Sequence, residues 1–196
     1  MRTVPVSEFM PTLRQLVSVV LPMQLEQAIV ASAVRFCRGS GVVMASRTFC
    51  QVYEGQTINI VRDSAVNRRA DGILKASDSA LITSDGVALQ PDRDYHALSL
   101  DDVFFLRDAQ DVTITCTVEP VLGAKELPAK LYDDWLSGIC AGAAARLYAM
   151  PDSLDPNLHA HYEREFVETM RQAMRWRLET SPSMSPSAPV RKREFF

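Results

Sequence analysis

LPAKLYDDWLSGICAGAAARLYAMPD, residues 127–152, is the stretch whose reading decides the fold. Pro128 suits a first helical position, where its missing N–H has no intrahelical partner to lose. Leu131, Trp135 and Ile139 then recur at i, i+4 and i+8, and Leu147 continues the same face. The spacing predicts one helix from Pro128 to the break at Met150-Pro151-Asp152. Gly138, Cys140, Ala141, Gly142, Ala143, Ala144 and Ala145 give that helix a run of small side chains. Each glycine costs about 1 kcal/mol of helix propensity, and the small face lets another backbone approach closely. Gly138, Gly142 and Ala145 are therefore the expected helix-packing positions. Nothing in the stretch is a reaction centre.

On its C-terminal side, Asp155-Pro156 opens a second predicted helix that ends near Glu179. Leu158, Tyr162, Phe166, Met170, Ala173 and Met174 form one apolar stripe, with Arg164, Glu168, Arg171 and Arg175 opposite. Towards the N-terminus, residues 7–20 suit a short helix with Ser7 as N-cap, Pro11 in its first turn, and Leu13, Leu16, Val17 and Val20 apolar. Pro22 restarts the chain. Leu25, Ile29, Ala33 and Phe36 mark a helix closing near Gly39 or Gly41. Ala28 and Ala33 make it small-faced as well, a match for the face around Gly142.

Between these helices the signal turns to period two. Val42–Ser46, Arg47–Tyr53 and Thr57–Val61 read as strands, with Glu54-Gly55 as a hairpin turn. Residues 62–72, with Arg68, Arg69 and Asp71, read as a loop. Strand-like runs at 73–76, 80–83, 87–90, 95–98 and 103–107 follow, with a second hairpin at Ser84-Asp85-Gly86. Asp111–Glu119 is the clearest strand: Val112, Ile114, Cys116 and Val118 face one way, and Thr113, Thr115 and Thr117 the other. The expected class is α+β: about four helices (residues 1–40 and 127–179) forming a bundle, with an antiparallel sandwich or barrel-like block inserted at 41–126.

With 47% hydrophobic and 23% charged residues in 196, the chain can bury an ordinary core. Its net charge of −3 argues against a dedicated nucleic-acid binder. The charge is uneven: residues 41–127 hold 13 acidic and 8 basic side chains, a net −5. This is either a solvated acidic face or one that must not adhere to DNA. Arg35…Arg38 and Arg68-Arg69 are too sparse to track a phosphate backbone. Cys37, Cys50, Cys116 and Cys140 lack metal or disulfide spacing, and a reducing compartment suits them. Met1–Phe9 does not have the pattern of a signal peptide, and the longest apolar run, Val17–Met23, is too short for a membrane span.

Residues 180–196 form a tail, Ser-Pro-rich and then basic. It lacks the apolar area to offset its own ordering entropy, so order in it requires an external partner. Phe195 and Phe196 are the expected anchors, with Arg191, Lys192 and Arg193 against an acidic rim.

Chemistry-bearing motifs are missing. His159 and His161 stand about 200° apart on a helix and cannot share a metal ion. Asp101-Asp102 and Asp133-Asp134 suit turns and helix starts. No G-x-S-x-G, G-x-x-x-x-G-K or H-E-x-x-H occurs. No catalytic residue, metal or cofactor is expected. A Cys37–His96 thiolate pair is the remote enzymatic alternative.

The order of short elements resembles the head-to-tail adaptor (connector) proteins of tailed bacteriophages. The resemblance is carried by Ala28–Arg38, then Asp85-Gly86-Val87-Ala88-Leu89-Gln90-Pro91, then Glu119-Pro120…Leu127-Pro128. It continues through Trp135, Ile139, Gly142-Ala143, Arg146-Leu147 and Met150-Pro151, and ends with Asn157, Ala160, Tyr162 and Phe166. It covers about residues 7–179. What it implies is a structural virion protein, made in the bacterial host cytoplasm and placed at the head–tail interface. There it forms a ring, usually of twelve copies, under the portal protein. The ring extends the channel for double-stranded DNA, without specific DNA binding, and gives the tail or nozzle protein a platform. No membrane is involved. A tail-tube or tail-terminator protein is the runner-up.

Overall fold

Proline, glycine and one aspartate set the helix boundaries. In a computed structural model, residues 1–18, 21–62 and 73–181 are described. A 3-10 turn, Val6–Phe9, leads into α1 (Met10–Leu16), with Pro11 in its first turn. Ser7 lies inside the 3-10 turn and caps nothing, and Val20 lies outside the described residues. Pro22 opens α2 (Pro22–Ser40), which closes at Gly41, where φ is 60° and the N–H donates to Cys37 O.

The two longest pairing strands are β2 (Met44–Val52) and β9 (Ala109–Pro120). Their sheet runs β2-β9-β5-β6, with β5 (Leu81–Ser84) and β6 (Val87–Ala88) joined by the tight turn Asp85-Gly86, both at positive φ. β4 (Leu74–Ala76) pairs with β9 further along, at Val118–Pro120. A second sheet has the order β3-β8-β7, built from Thr57–Asn59, Asp102–Phe105 and Tyr95–Ala97. All these named pairs are antiparallel.

Two strands escaped the sequence reading. β1 (Thr3–Pro5) pairs with β10 (Glu126–Pro128). At three residues each, with a proline in both, they carry no alternation to detect. The Glu54-Gly55 turn is present, yet β2 and β3 are not a hairpin, because β3 pairs with β8. Gly55 N donates to Phe105 O at 2.9 Å, which draws the chain into the second sheet. Arg47 spans the gap, donating to the carbonyls of Asn59 (2.6 Å) and Arg62.

The helix expected from Pro128 to Met150 is broken. Its parts are α3 (Ala129–Asp133) and α4 (Leu136–Tyr148), separated at Asp134 and at Trp135, whose φ of −131° and ψ of 17° are not helical. The short α3 is tied to β1 by Arg2, which grips Asp133, whereas α4 is packed between α2 and α5. A straight helix does not serve both attachments. After a 3-10 turn at Pro151–Ser153, Asp155 accepts from the N–H groups of Asn157 and Leu158, and Pro156 opens α5 (Pro156–Thr180).

The molecule is thus α+β, with five helices and antiparallel sheets among the described residues. No described helix is long and apolar enough to cross a membrane. A continuous apolar core joins Ile29, Phe36, Leu131 and Phe166 from helices to Ile82, Val103, Phe105 and Ile114 from strands. On α5, Phe166 and Ala173 are fully buried, but Met174 lies exposed at the margin of the expected stripe.

Candidate assembly surfaces

The small-faced helices meet inside one chain. A Cβ on Gly142 would lie 2.3 Å from both Phe166 Cδ2 and Ser32 Oγ, and one on Gly138 would lie 2.5 Å from Thr169 Cγ2. Ser32 Oγ donates to Ile139 O at 2.8 Å in the buried seam between α2 and α4. Ala28, Ala33 and Ala145 are buried. Gly39, read from the sequence only as a candidate helix stop, makes the same kind of contact with Met170. A glycine one residue before a helix end reads as a stop signal, so nothing marked it as a packing position. These residues are consumed by the chain's own interior and are not available to a neighbouring subunit.

Ion pairs fasten the helices to one another and to the strands. Arg35 grips Glu163 with both terminal nitrogens, and its guanidinium sits 4.9 Å from the Phe166 ring centroid. Glu119, near the end of β9, is only 1% exposed. Arg38 on α2 holds it through two hydrogen bonds of 2.9 and 2.6 Å, and Lys75 on β4 approaches to 3.2 Å. Burial by itself pushes the Glu119 carboxyl upward, but the hydrogen bonds and charges of Arg38 and Lys75 outweigh it and hold the group below its ordinary value. Period two sets Glu119 on the same face of β9 as Thr113, Thr115 and Thr117, and the sequence reading gave it no role. It missed the residue because both faces of β9 are covered at that end.

In the second sheet, buried Asp94 accepts from Gln90 N at 2.8 Å. Arg107 stands 2.8 Å from its other oxygen, an ion pair whose angles fall short of a hydrogen bond. Asp85 and Asp92 adopt positive φ in turns, and Asp111 does so inside β9, so part of the acidic character of residues 41–127 serves local backbone geometry. Exposed carboxylates there include Glu54, Asp78, Asp108 and Asp111.

The histidines and cysteines are accounted for locally. His159 Nδ1 lies 2.8 Å from Ala145 O, tying α5 to α4, and His161 lies 3.6 Å from Glu165. His96 pairs with Asp92 at the surface, at 2.9 Å. Cys37 is fully buried, and burial followed by the Glu119 charge pushes its thiol far up, so it holds its proton. Burial likewise raises Cys140 to about 12 and Cys116 to about 11, the latter with help from Asp101. Cys50 is exposed. Among the described residues no group of His, Cys, Asp or Glu is arranged to hold a metal ion.

An open groove of about 460 Å³ runs between α4 and α5, lined by Ser137, Ala141, Arg164, Glu165, Glu168 and Thr169. Exposed apolar side chains include Leu21 and Met23 at the start of α2 and Leu154 before α5. The expected anchors Arg191, Lys192, Arg193, Phe195 and Phe196, and the loop residues Arg68, Arg69 and Asp71, lie outside the described residues. No protein-family model matches the chain, and no curated protein matches it.

Proposed function

We propose that this chain is a subunit of a ring-forming virion connector, a head-to-tail adaptor docked under a portal. In this reading α1, α2, α4 and α5 act as a helical bundle, and the strands between α2 and α3 form an inserted sandwich or barrel-like block. The subunit is structural, without catalysis or cofactor, and sits at the head–tail interface of the particle. Its partners are other copies of itself, the portal protein and a tail or nozzle protein. The carboxylate-bearing surface of residues 41–127 repels double-stranded DNA, so DNA passes without adhering.

The observation that carries this reading is the way the chain closes on itself. The Ala-rich segment around Ser32 meets Gly142 and Phe166, more than 100 residues later. Those are elements of the ordered pattern that resembles the adaptor family. With the small faces used internally, contacts between subunits fall to exposed surfaces such as the α4–α5 groove and the Leu21–Met23 end.

Mass photometry and electron microscopy of the purified chain, alone and with portal particles, test it. Closed rings of about twelve copies are expected. A protein that stays monomeric at high concentration and ignores portal complexes sinks the reading. Six-fold rings would instead favour a tail-tube or tail-terminator role.

A further inference from the structure

Much of the acidic surplus of residues 41–127 is gathered at one end of the sheet that holds β2, β9 and β5. Asp108 and Asp111 stand at the start of β9. Ser84 pairs with Val112, so Asp85 in the following turn opposes Asp111. Glu54, just beyond β2, donates its N–H to Asp108 Oδ1 at 2.8 Å. All four side chains are exposed, and among the described residues none of them pairs with a basic group. Arg107, next to Asp108, is held on buried Asp94 at 2.8 Å. Like charges opposite each other on neighbouring strands repel, so this end is destabilising while it stays uncompensated.

Positive charge collects at the other end of the same strand. Arg38 and Lys75 share the single carboxylate of Glu119, at 2.6 and 3.2 Å, while their own side chains stay 62% and 40% exposed. Arg177 comes alongside from the last turn of α5. A Cβ on Gly41 would lie 2.9 Å from its Nη1 and 3.2 Å from Cγ2 of Thr117, which stands two residues before Glu119. Among the described residues no carboxylate pairs with Arg177, and its buried Nε has no hydrogen-bond acceptor. Two cations thus draw on one carboxylate, and a third on none. Asp111 and Glu119 are separated by about 27 Å of extended strand, several times the distance over which exposed charges act at physiological salt.

We propose that these two ends meet between copies of this chain, the carboxylate end of one subunit against the Arg38, Lys75 and Arg177 end of the next. A second copy is the partner because each chain carries both unbalanced charges and holds them too far apart to neutralise one another. Two different patches at opposite ends of one strand make a head-to-tail contact, which closes into a ring when the rotation between neighbours allows it. Complementary charge fixes the register of such a contact and speeds the encounter. The inference rests on the ring reading given above and names the surfaces that touch. It takes one end of the sheet and leaves the remaining exposed carboxylates of residues 41–127 to face DNA.

Carbodiimide cross-linking of the full-length protein in rings, formed alone or on portal particles, tests the proposal, because the reagent joins a carboxylate to an amine only where the two touch. Peptides that link Lys75 to Glu54, Asp85, Asp108 or Asp111 are expected, and the separation of the two ends within one chain assigns such links to neighbouring copies. Ring yield, counted by mass photometry, should fall by about tenfold or more in Arg177→Glu and in Glu54→Arg. Rings that form equally well in both variants overturn this contact and leave the ring reading standing. So do rings in which Lys75 links only to Glu119 or to portal peptides. A chain that forms no rings sinks both.

Discussion

At Gly142 one added methyl decides whether α2, α4 and α5 still fit. Its Cβ would stand 2.3 Å from both an aromatic carbon of Phe166 and Ser32 Oγ. Alanine gains about 1 kcal/mol of helix propensity there, but overpacking a filled core typically costs about 1–3 kcal/mol. We expect Gly142→Ala to lower unfolding stability in urea by up to about 2 kcal/mol net. An increase of about 1 kcal/mol, the full propensity gain, would mean that the seam can open at no cost. A second residue-scale prediction concerns the thiols. Cys37, Cys116 and Cys140 are buried and carry raised pKa values, whereas Cys50 is exposed. In native protein at pH 8, iodoacetamide followed by peptide mass mapping should label Cys50 alone. Labelling of Cys37 at a comparable rate would reopen the thiolate reading.

At the scale of elements, Glu119 is the joint between α2, β4 and β9. Its folded-state pKa is lowered, so its contribution to stability is fully present above the unfolded carboxylate value and is lost as pH falls through the folded one. Glu119→Gln should therefore destabilise the protein at pH 7 by about 1.5–3 kcal/mol, the range for hydrogen bonds to a charged group. The deficit relative to the unaltered chain should shrink in acid, and urea titrations at pH 7 and near pH 3 measure it. A deficit independent of pH would show that the charge is not what matters. The start of α5 depends on Asp155, which accepts from two backbone N–H groups. Asp155→Ala should cost about 1 kcal/mol in the same assay, and no loss would mean that solvent caps the helix equally well.

Across the whole molecule, the apolar core runs without interruption from Ile29 and Phe166 to Phe105 and Ile114. Helices and sheets should then unfold together. Fluorescence of Trp135 and Trp176 reports the helices, and amide exchange over residues 112–118 reports β9. Coincident urea midpoints are expected, and clearly separated ones would show two independent units.

Helix starts at Pro22 and Pro156, the stop at Gly41 and the inward face of β9 were legible because proline geometry, left-handed glycine and side-chain periodicity act within a few residues. The same local rules determined the α+β class. They also showed that Gly138 and Gly142 required a close neighbour. Tertiary structure decided which neighbour: Thr169 for one, Phe166 and Ser32 for the other. It also broke the expected helix at Trp135, sent β3 to β8 instead of β2, and buried Glu119 between Arg38 and Lys75. Each of these depends on residues far apart in sequence, whose meeting removes water from both, and no local pattern records where that happens.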